Sequence, residues 1–315
     1  MHDRDCLHRF MFDKYPIRGH LVHVDAAWRA LIEHRDYPAA IRDTLGEAVA
    51  ASLLLAATIK FEGVLSLQLQ GDGPVKLLLA QCTNGLAVRG LARYRESGLV
   101  KVGPGVGPGA GPGAGSTADL IGTGNLTVTL ETDDGAQRYQ GIVPMSGQRV
   151  GDSLQVYFEN SEQLPTRLWL HADASGVSGM LLQKLPVSEA PPGIEPEAAA
   201  SIDDAWRRVQ LIGETLTPEE LRMLTDEEIL HRLFDEDDVR LFDPAPVYFR
   251  CRCSRERVGS MLQGLGEAET RSVLTERGEV EVRCDFCNRA YVFDAVDVAQ
   301  LFNAGVAIDS VRSVH

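Results

Sequence analysis

Four cysteines near the end of the chain carry the clearest chemistry in this sequence. Cys251 and Cys253 form a C-x-C pair, thirty residues intervene, and Cys284 and Cys287 form a C-x-x-C pair. Two thiolates one or two residues apart can reach the same metal ion, and two such pairs complete a tetrahedral sulfur site of the kind zinc prefers. Four sulfurs close that site to substrate, so one Zn2+ per chain is expected in a structural rather than a hydrolytic role. Arg250, Arg252, Arg255, Arg257, Arg283 and Arg289 flank the pairs. They would offset the negative charge of a four-thiolate zinc site and favour thiolate over thiol. Cys6 and Cys82 stand alone. The first residues lack the basic flank and apolar stretch of a signal peptide, so the clustered pairs read as metal ligands or redox thiols, not as a disulfide framework.

Other chemistry is scarce. There is no H-E-x-x-H and no G-x-S-x-G, and Gly176-Val-Ser-Gly179 is one residue short of the latter. Gly103 to Gly115 places glycine at every odd position, with Pro104, Pro108 and Pro112 between. A dinucleotide loop needs glycines at i, i+2 and i+5, which strict alternation forbids, and no Gly-Lys pair is present for a P-loop. The run reads as a low-complexity loop insertion. His20, His23, His34, His171 and His231 are scattered and read as solvated or core residues. No catalytic residue is assigned, and the chain reads as a non-enzyme.

The elements that must hold the cysteines are strand-like: Val247 to Arg252, then Glu279 to Arg283, a turn at Asp285-Phe286, and a return from Arg289 to Phe293. Strand-turn-strand argues against a thioredoxin-like use of Cys284 and Cys287, which would place the first cysteine at a helix N-terminus. Upstream, 315 residues with 44% hydrophobic content suit two modest domains and a connector. The formal net charge of -14 argues against bulk attraction to nucleic acid or anionic membrane. The best apolar run, Ala48 to Ile59, is far short of the roughly 20 residues of a membrane span. A cytoplasmic location is expected.

Most of the charge sits between Glu189 and Asp243, with sixteen acidic residues against five arginines. This stretch follows Pro186 and includes Pro191, Pro192 and Pro196, as a linker would. Ser201-x-x-Asp204, Thr217-x-x-Glu220 and Thr225-x-x-Glu228 look like capped helix starts. Two apolar stripes follow, Ile202, Ala205, Trp206, Val209 and Ile212, then Ile229, Leu230, Leu233 and Phe234. Helices this short are marginal alone and must dock. The remainder reads as α+β: a helix from Ala39 to Lys60, a hairpin from Val64 to Ala80 turning at Gly71-Asp-Gly-Pro74, and strands at Leu86 to Ala92, Leu126 to Glu131, Arg138 to Val143 and Thr166 to His171. Gly151 to Glu162 reads as helical. The expected organisation is an α+β domain at 1–185 with the 103–115 insertion, an acidic helical linker at 186–245, and a small four-cysteine zinc domain at 246–315.

Together these residues resemble the redox-regulated chaperones of the thirty-three-kilodalton heat-shock protein family, also termed 33 kDa chaperonin. The resemblance lies in Arg250-Cys-Arg-Cys-Ser-Arg-Glu-Arg257 and Arg283-Cys-Asp-Phe-Cys287, and in Leu7-His-Arg-Phe10, Lys60-Phe61, Leu67 to Pro74, Tyr139-Gln-Gly-Ile-Val143 and Tyr157 to Leu170. The glycine-proline insertion departs from the family pattern. The resemblance implies that the reduced, zinc-bound protein is a poor chaperone. Oxidation would form disulfides Cys251–Cys253 and Cys284–Cys287, release zinc, unfold the linker, produce a homodimer from a monomer, and expose a surface that holds unfolding client proteins without ATP. Two other readings stay open on the residues alone. A zinc-ribbon nucleic-acid module would show salt-dependent affinity for DNA or RNA, and a thiol-disulfide oxidoreductase would turn over a disulfide substrate.

Overall fold

A computed structural model describes residues 4–96, 116–135, 138–162, 164–186 and 199–303. The glycine-proline run and Pro191, Pro192 and Pro196 lie outside these. The chain divides into two compact units, Met1–Arg250 and Cys251–His315.

The first unit is built on two sheets. Strands β1 (Asp5–Phe12) and β2 (Ile17–Val24) form a hairpin, and short helix α1 (Ala26–Ile32) leads to α2 (Ala39–Thr58). Then come β3 (Gly63–Gly71), β4 (Val75–Thr83), β5 (Ala87–Tyr94), α3 (Thr117–Ile121), β6 (Gly124–Thr132) and β7 (Arg138–Pro144). After α4 (Val150–Tyr157), strands β8 (Thr166–Ala172) and β9 (Val177–Lys184) return to the first hairpin. The acidic stretch supplies α5 (Ala199–Gly213), α6 (Pro218–Met223), α7 (Asp226–Phe234) and β10 (Val239–Leu241), and β11 (Ala245–Pro246) and β12 (Tyr248–Phe249) follow it. One sheet runs β10-β1-β2-β9-β8, with β11 also on β1, and the other runs β12-β5-β4-β3-β6-β7.

Helix α2 packs against strands of both sheets. That is why it is buried nearly all round, Thr44, Glu47, Ala50, Ala51, Leu54 and Leu55 as well as the expected stripe of Ile41, Leu45, Val49, Leu53 and Ala56. Gly46 permits the approach, since a Cβ there would stand 2.4 Å from the Ala172 methyl. The 64–80 hairpin forms as β3 and β4, with Leu69 opposite Leu78. The segment expected to be helical to Glu162 is α-helical only to Tyr157 and finishes in a wider π turn, Phe158–Glu162.

The outer face of the first sheet is covered by the acidic segment. Ala205, Trp206, Val209, Ile229, Leu230, Leu233 and Phe234 are buried against Phe10, Phe12, Ile17, Leu21, Met180 and Leu182. Thr217 and Thr225 cap their helices as the spacing suggests, each accepting from the N–H of the glutamate three residues on. The Ser201 expectation is corrected: α5 starts at Ala199, so Ser201 lies within the helix and not at its start. Covered on both faces, β9 is buried along almost its whole length. It therefore lacks the alternation that marks a half-exposed strand.

In the second unit, α8 (Arg255–Leu265) and α9 (Glu267–Arg277) fill the interval between the cysteine pairs. The hairpin β13 (Val280–Arg283) and β14 (Ala290–Phe293) follows, with Val280 opposite Phe293, and then α10 (Ala295–Asn303). Val258, Leu262, Val280, Tyr291, Phe293 and Val298 form the core. The expected strand from Val247 to Arg252 is corrected. Only Tyr248–Phe249 is a strand, and it pairs parallel with β5 inside the first unit, satisfying its backbone on that sheet.

Candidate metal centre

The four cysteines converge. Their sulfurs all lie within 4.8 Å of one another. Cys251 Sγ is 3.6 Å from Cys284 Sγ, and Cys253 Sγ is 3.4 Å from Cys287 Sγ. A disulfide would bring two sulfurs to about 2.05 Å, and all four are free thiols. With metal–sulfur bonds of about 2.3 Å, tetrahedral geometry places sulfurs about 3.8 Å apart, so the spacing fits one ion held by Cys251, Cys253, Cys284 and Cys287.

Local backbone creates this convergence. Ser254 caps α8 by accepting from the Arg257 N–H at 3.3 Å, which starts the helix directly after the C-x-C pair. On the other side the Cys284 N–H donates to the Arg289 carbonyl at 3.0 Å, and the Asn288 N–H donates to the Cys284 carbonyl at 2.8 Å. Asn288 takes a left-handed conformation, φ 55°, to close the turn between β13 and β14. The backbone N–H of Cys253 points to the Cys251 sulfur and that of Arg289 to the Cys287 sulfur, donors suited to thiolates.

The sulfurs differ in their surroundings. Burial raises the Cys251 and Cys287 thiols. Burial also opposes ionisation of Cys253, but hydrogen bonds from the Tyr291 hydroxyl and the neighbouring thiols outweigh it and bring that thiol down to about 7. The Tyr291 hydroxyl lies 3.1 Å from Cys253 Sγ, and its own pKa is pushed up to about 12 by that bond. Cys253 is thus the group most readily made anionic.

The flanking arginines are less uniform than their sequence positions suggest. Arg289 faces the cluster through Tyr291. Arg255 lies over the Phe293 ring at 4.3 Å and pairs with Asp297 at 2.6 Å, while Arg257 donates to the Arg252 carbonyl at 2.8 Å and Arg283 pairs with Glu281 at 2.5 Å. These three brace the unit's own frame. Arg250 belongs to the first unit.

Cys6 and Cys82 lie elsewhere. Cys82 is fully buried on β4, its thiol pushed up to about 12 by burial. Cys6 sits near His8 and the buried Asp226, and its thiol is raised to about 11, first by burial and then by that carboxylate. The grouping of His8 and Asp226, 218 positions apart, has no sequence signal. His23 joins it, His20 is buried on the other face of β2, and His34 and His231 are exposed.

A family profile described as "Hsp33 protein" matches residues 5–294. The chain belongs to the Hsp33 family. A 33 kDa chaperonin of Nitrosococcus oceani is 45% identical over 315 residues, covering 100% of both chains. Proteins of the same name from Methylobacillus flagellatus and Pseudomonas syringae are each 42% identical, covering 96% and 98% of this chain. These Hsp33 relatives are named for a chaperone and not for an enzyme. The crystal structure of the 33 kDa chaperonin of Thermotoga maritima shares the fold, with a TM-score of 0.76 at 22% identity over 96% of this chain and 99% of that one. Among the described residues no helix is long and apolar enough to cross a membrane.

Proposed function

We propose that this Hsp33 protein is a redox-regulated holdase whose four-cysteine unit is the sensor and whose acidic segment is the controlled element. The observation that carries the reading is the convergence of four free thiols in a unit with a small apolar core. In the reduced state Cys251, Cys253, Cys284 and Cys287 hold one Zn2+. Zinc, when bound, supplies a cross-link between the C-x-C segment and the C-x-x-C turn and contributes folding free energy.

Peroxide oxidises the thiols pairwise: each pair yields one disulfide while one peroxide is reduced to two waters. Disulfides Cys251–Cys253 and Cys284–Cys287 join sulfurs of the same pair. They do not replace the link between the two pairs, so the second unit loses its staple along with its metal ligands. The acidic segment leads through β11 and β12 to Cys251, and we read its helices as undocking from the first sheet when that unit unfolds. Their apolar stripes and the sheet face beneath them then become surface for unfolding client proteins, without ATP. The oxidised chain is a homodimer and the reduced chain a monomer. The cytoplasm, where thiols are normally reduced, is the compartment in which such a sensor has a resting state.

The test is to follow zinc release and thiol loss during peroxide treatment with mild heat, alongside suppression of client aggregation. The three should change together. Aggregation suppression that is equal before and after oxidation would overturn the redox reading.

A further inference from the structure

The corner between α6 and α7 is fastened to the first sheet by buried polar groups as well as by apolar packing. Asp226 is the first residue of α7, but Thr225 and Glu228 already complete the capping box, so the helix start does not consume the Asp226 carboxylate. That side chain is only 4% exposed. It is met from two adjacent strands, by His8 Nδ1 of β1 in direct contact and by His23 Nε2 of β2 at 2.8 Å. His23 is itself fixed by Ser178 of β9, its Nδ1 lying 3.1 Å from the hydroxyl. Beside this group, Arg222 of α6 pairs with the buried Asp25 at 2.8 Å. Arg4 donates to the Leu224 carbonyl at 2.6 Å and also to the Arg222 carbonyl.

We infer that Asp226, held between His8 and His23, is a latch that fixes the acidic segment in its docked position and so restrains the reduced protein. The inference rests on the proposed role of that segment as the controlled element. An apolar stripe alone can slide or lift gradually, whereas a buried carboxylate hydrogen-bonded to His8 of β1 and in ion-pair contact with His23 of β2 meets both partners in one register only. Released into water, Asp226 is solvated at little cost. Held in place but deprived of partners, it is an uncompensated buried charge. Docking at this corner is therefore all or none. The helix cap is independent of the latch, so the segment can leave the sheet with its helix start intact. Cys6 lies beside the cluster.

The experiment uses the reduced full-length chain and compares it with Asp226→Ala and the near-isosteric Asp226→Asn. Hydrogen exchange is followed by peptide, and aggregation suppression of a heat-unfolded client is measured in parallel. The latch requires exchange across 217–234 to quicken on the order of a hundredfold or more in Asp226→Ala, less in Asp226→Asn, with β3 to β6 as protected as before. Unchanged exchange across 217–234 in both variants overturns the latch. If Asp226→Ala loses the whole first unit, Asp226→Asn and His8→Gln decide. Selective release of 217–234 supports the latch, and release only together with β3 to β6 overturns it. Faster exchange without aggregation suppression upholds the latch and instead overturns the proposed role of the segment.

Discussion

The two units of this protein solve the stability problem with different materials. The first has a continuous apolar core in which α2 lies between two sheets, and there a cysteine such as Cys82 serves as a small apolar side chain with its thiol raised to about 12. The second has six apolar core residues among those described, and Cys253 and Cys284 pack against them. Small units with little to bury need staples. The comparison teaches where a redox signal can act. Oxidising a thiol at Cys82 meets a buried, protonated sulfur, whereas Cys253, brought down to about 7, presents thiolate at neutral pH.

The largest expected effect removes the staple. The double variant Cys284→Ser with Cys287→Ser should bind no zinc and lose folding free energy of roughly 10 kcal/mol in the second unit. Metal analysis and hydrogen exchange over 251–303 check this, with the first unit's own strands remaining protected. A second unit that stays folded without metal would break the contrast between the units.

Next comes the interface of the acidic segment with the first sheet. Leu230 and Leu233 are 8% and 5% exposed. Replacing both by alanine should cost about 2–5 kcal/mol for each side chain, enough to undock the segment while zinc stays bound. Aggregation suppression by the reduced variant, together with zinc content, provides the measurement.

A smaller effect should reveal the cost of burying charge in the larger unit. Glu47 on α2 pairs with Arg149 at 3.2 Å, yet burial raises its carboxyl to about 6. An acid with a raised pKa binds its proton more tightly in the folded state. The first unit should therefore lose stability as pH rises from about 4.5 through about 6, by no more than about 2 kcal/mol. Denaturant unfolding at several pH values should show this slope, and Glu47→Gln should flatten it.

The smallest effect is expected at the solitary cysteines. Replacing Cys6 and Cys82 by alanine should cost on the order of 1 kcal/mol through lost packing. Peroxide activation should be unchanged, as measured by thiol loss and aggregation suppression in the same samples. A folded variant that no longer responds to peroxide would place part of the sensor in the first unit.

What could be read from the sequence was local. Thr217 with Glu220 and Thr225 with Glu228 close their capping boxes within four residues, so the pattern alone sufficed. The Ser201 pattern failed because a capping spacing is also compatible with a helix interior once the helix begins upstream, here at Ala199. Hairpin β3–β4 was visible from alternation and its turn, whereas β9, buried on both faces, had no alternation to detect.

The sequence by itself determined that Cys251, Cys253, Cys284 and Cys287 are the paired cysteines, that the charge gathers between Glu189 and Asp243, and that two helices there each have one apolar side. All of these follow from near neighbours along the chain. Only the tertiary structure decided what those apolar sides cover, and that Asp226 meets His8 across 218 positions. Such contacts depend on the order of strands in a sheet. That order is selected by burying all the faces at once, so no short stretch of sequence encodes it.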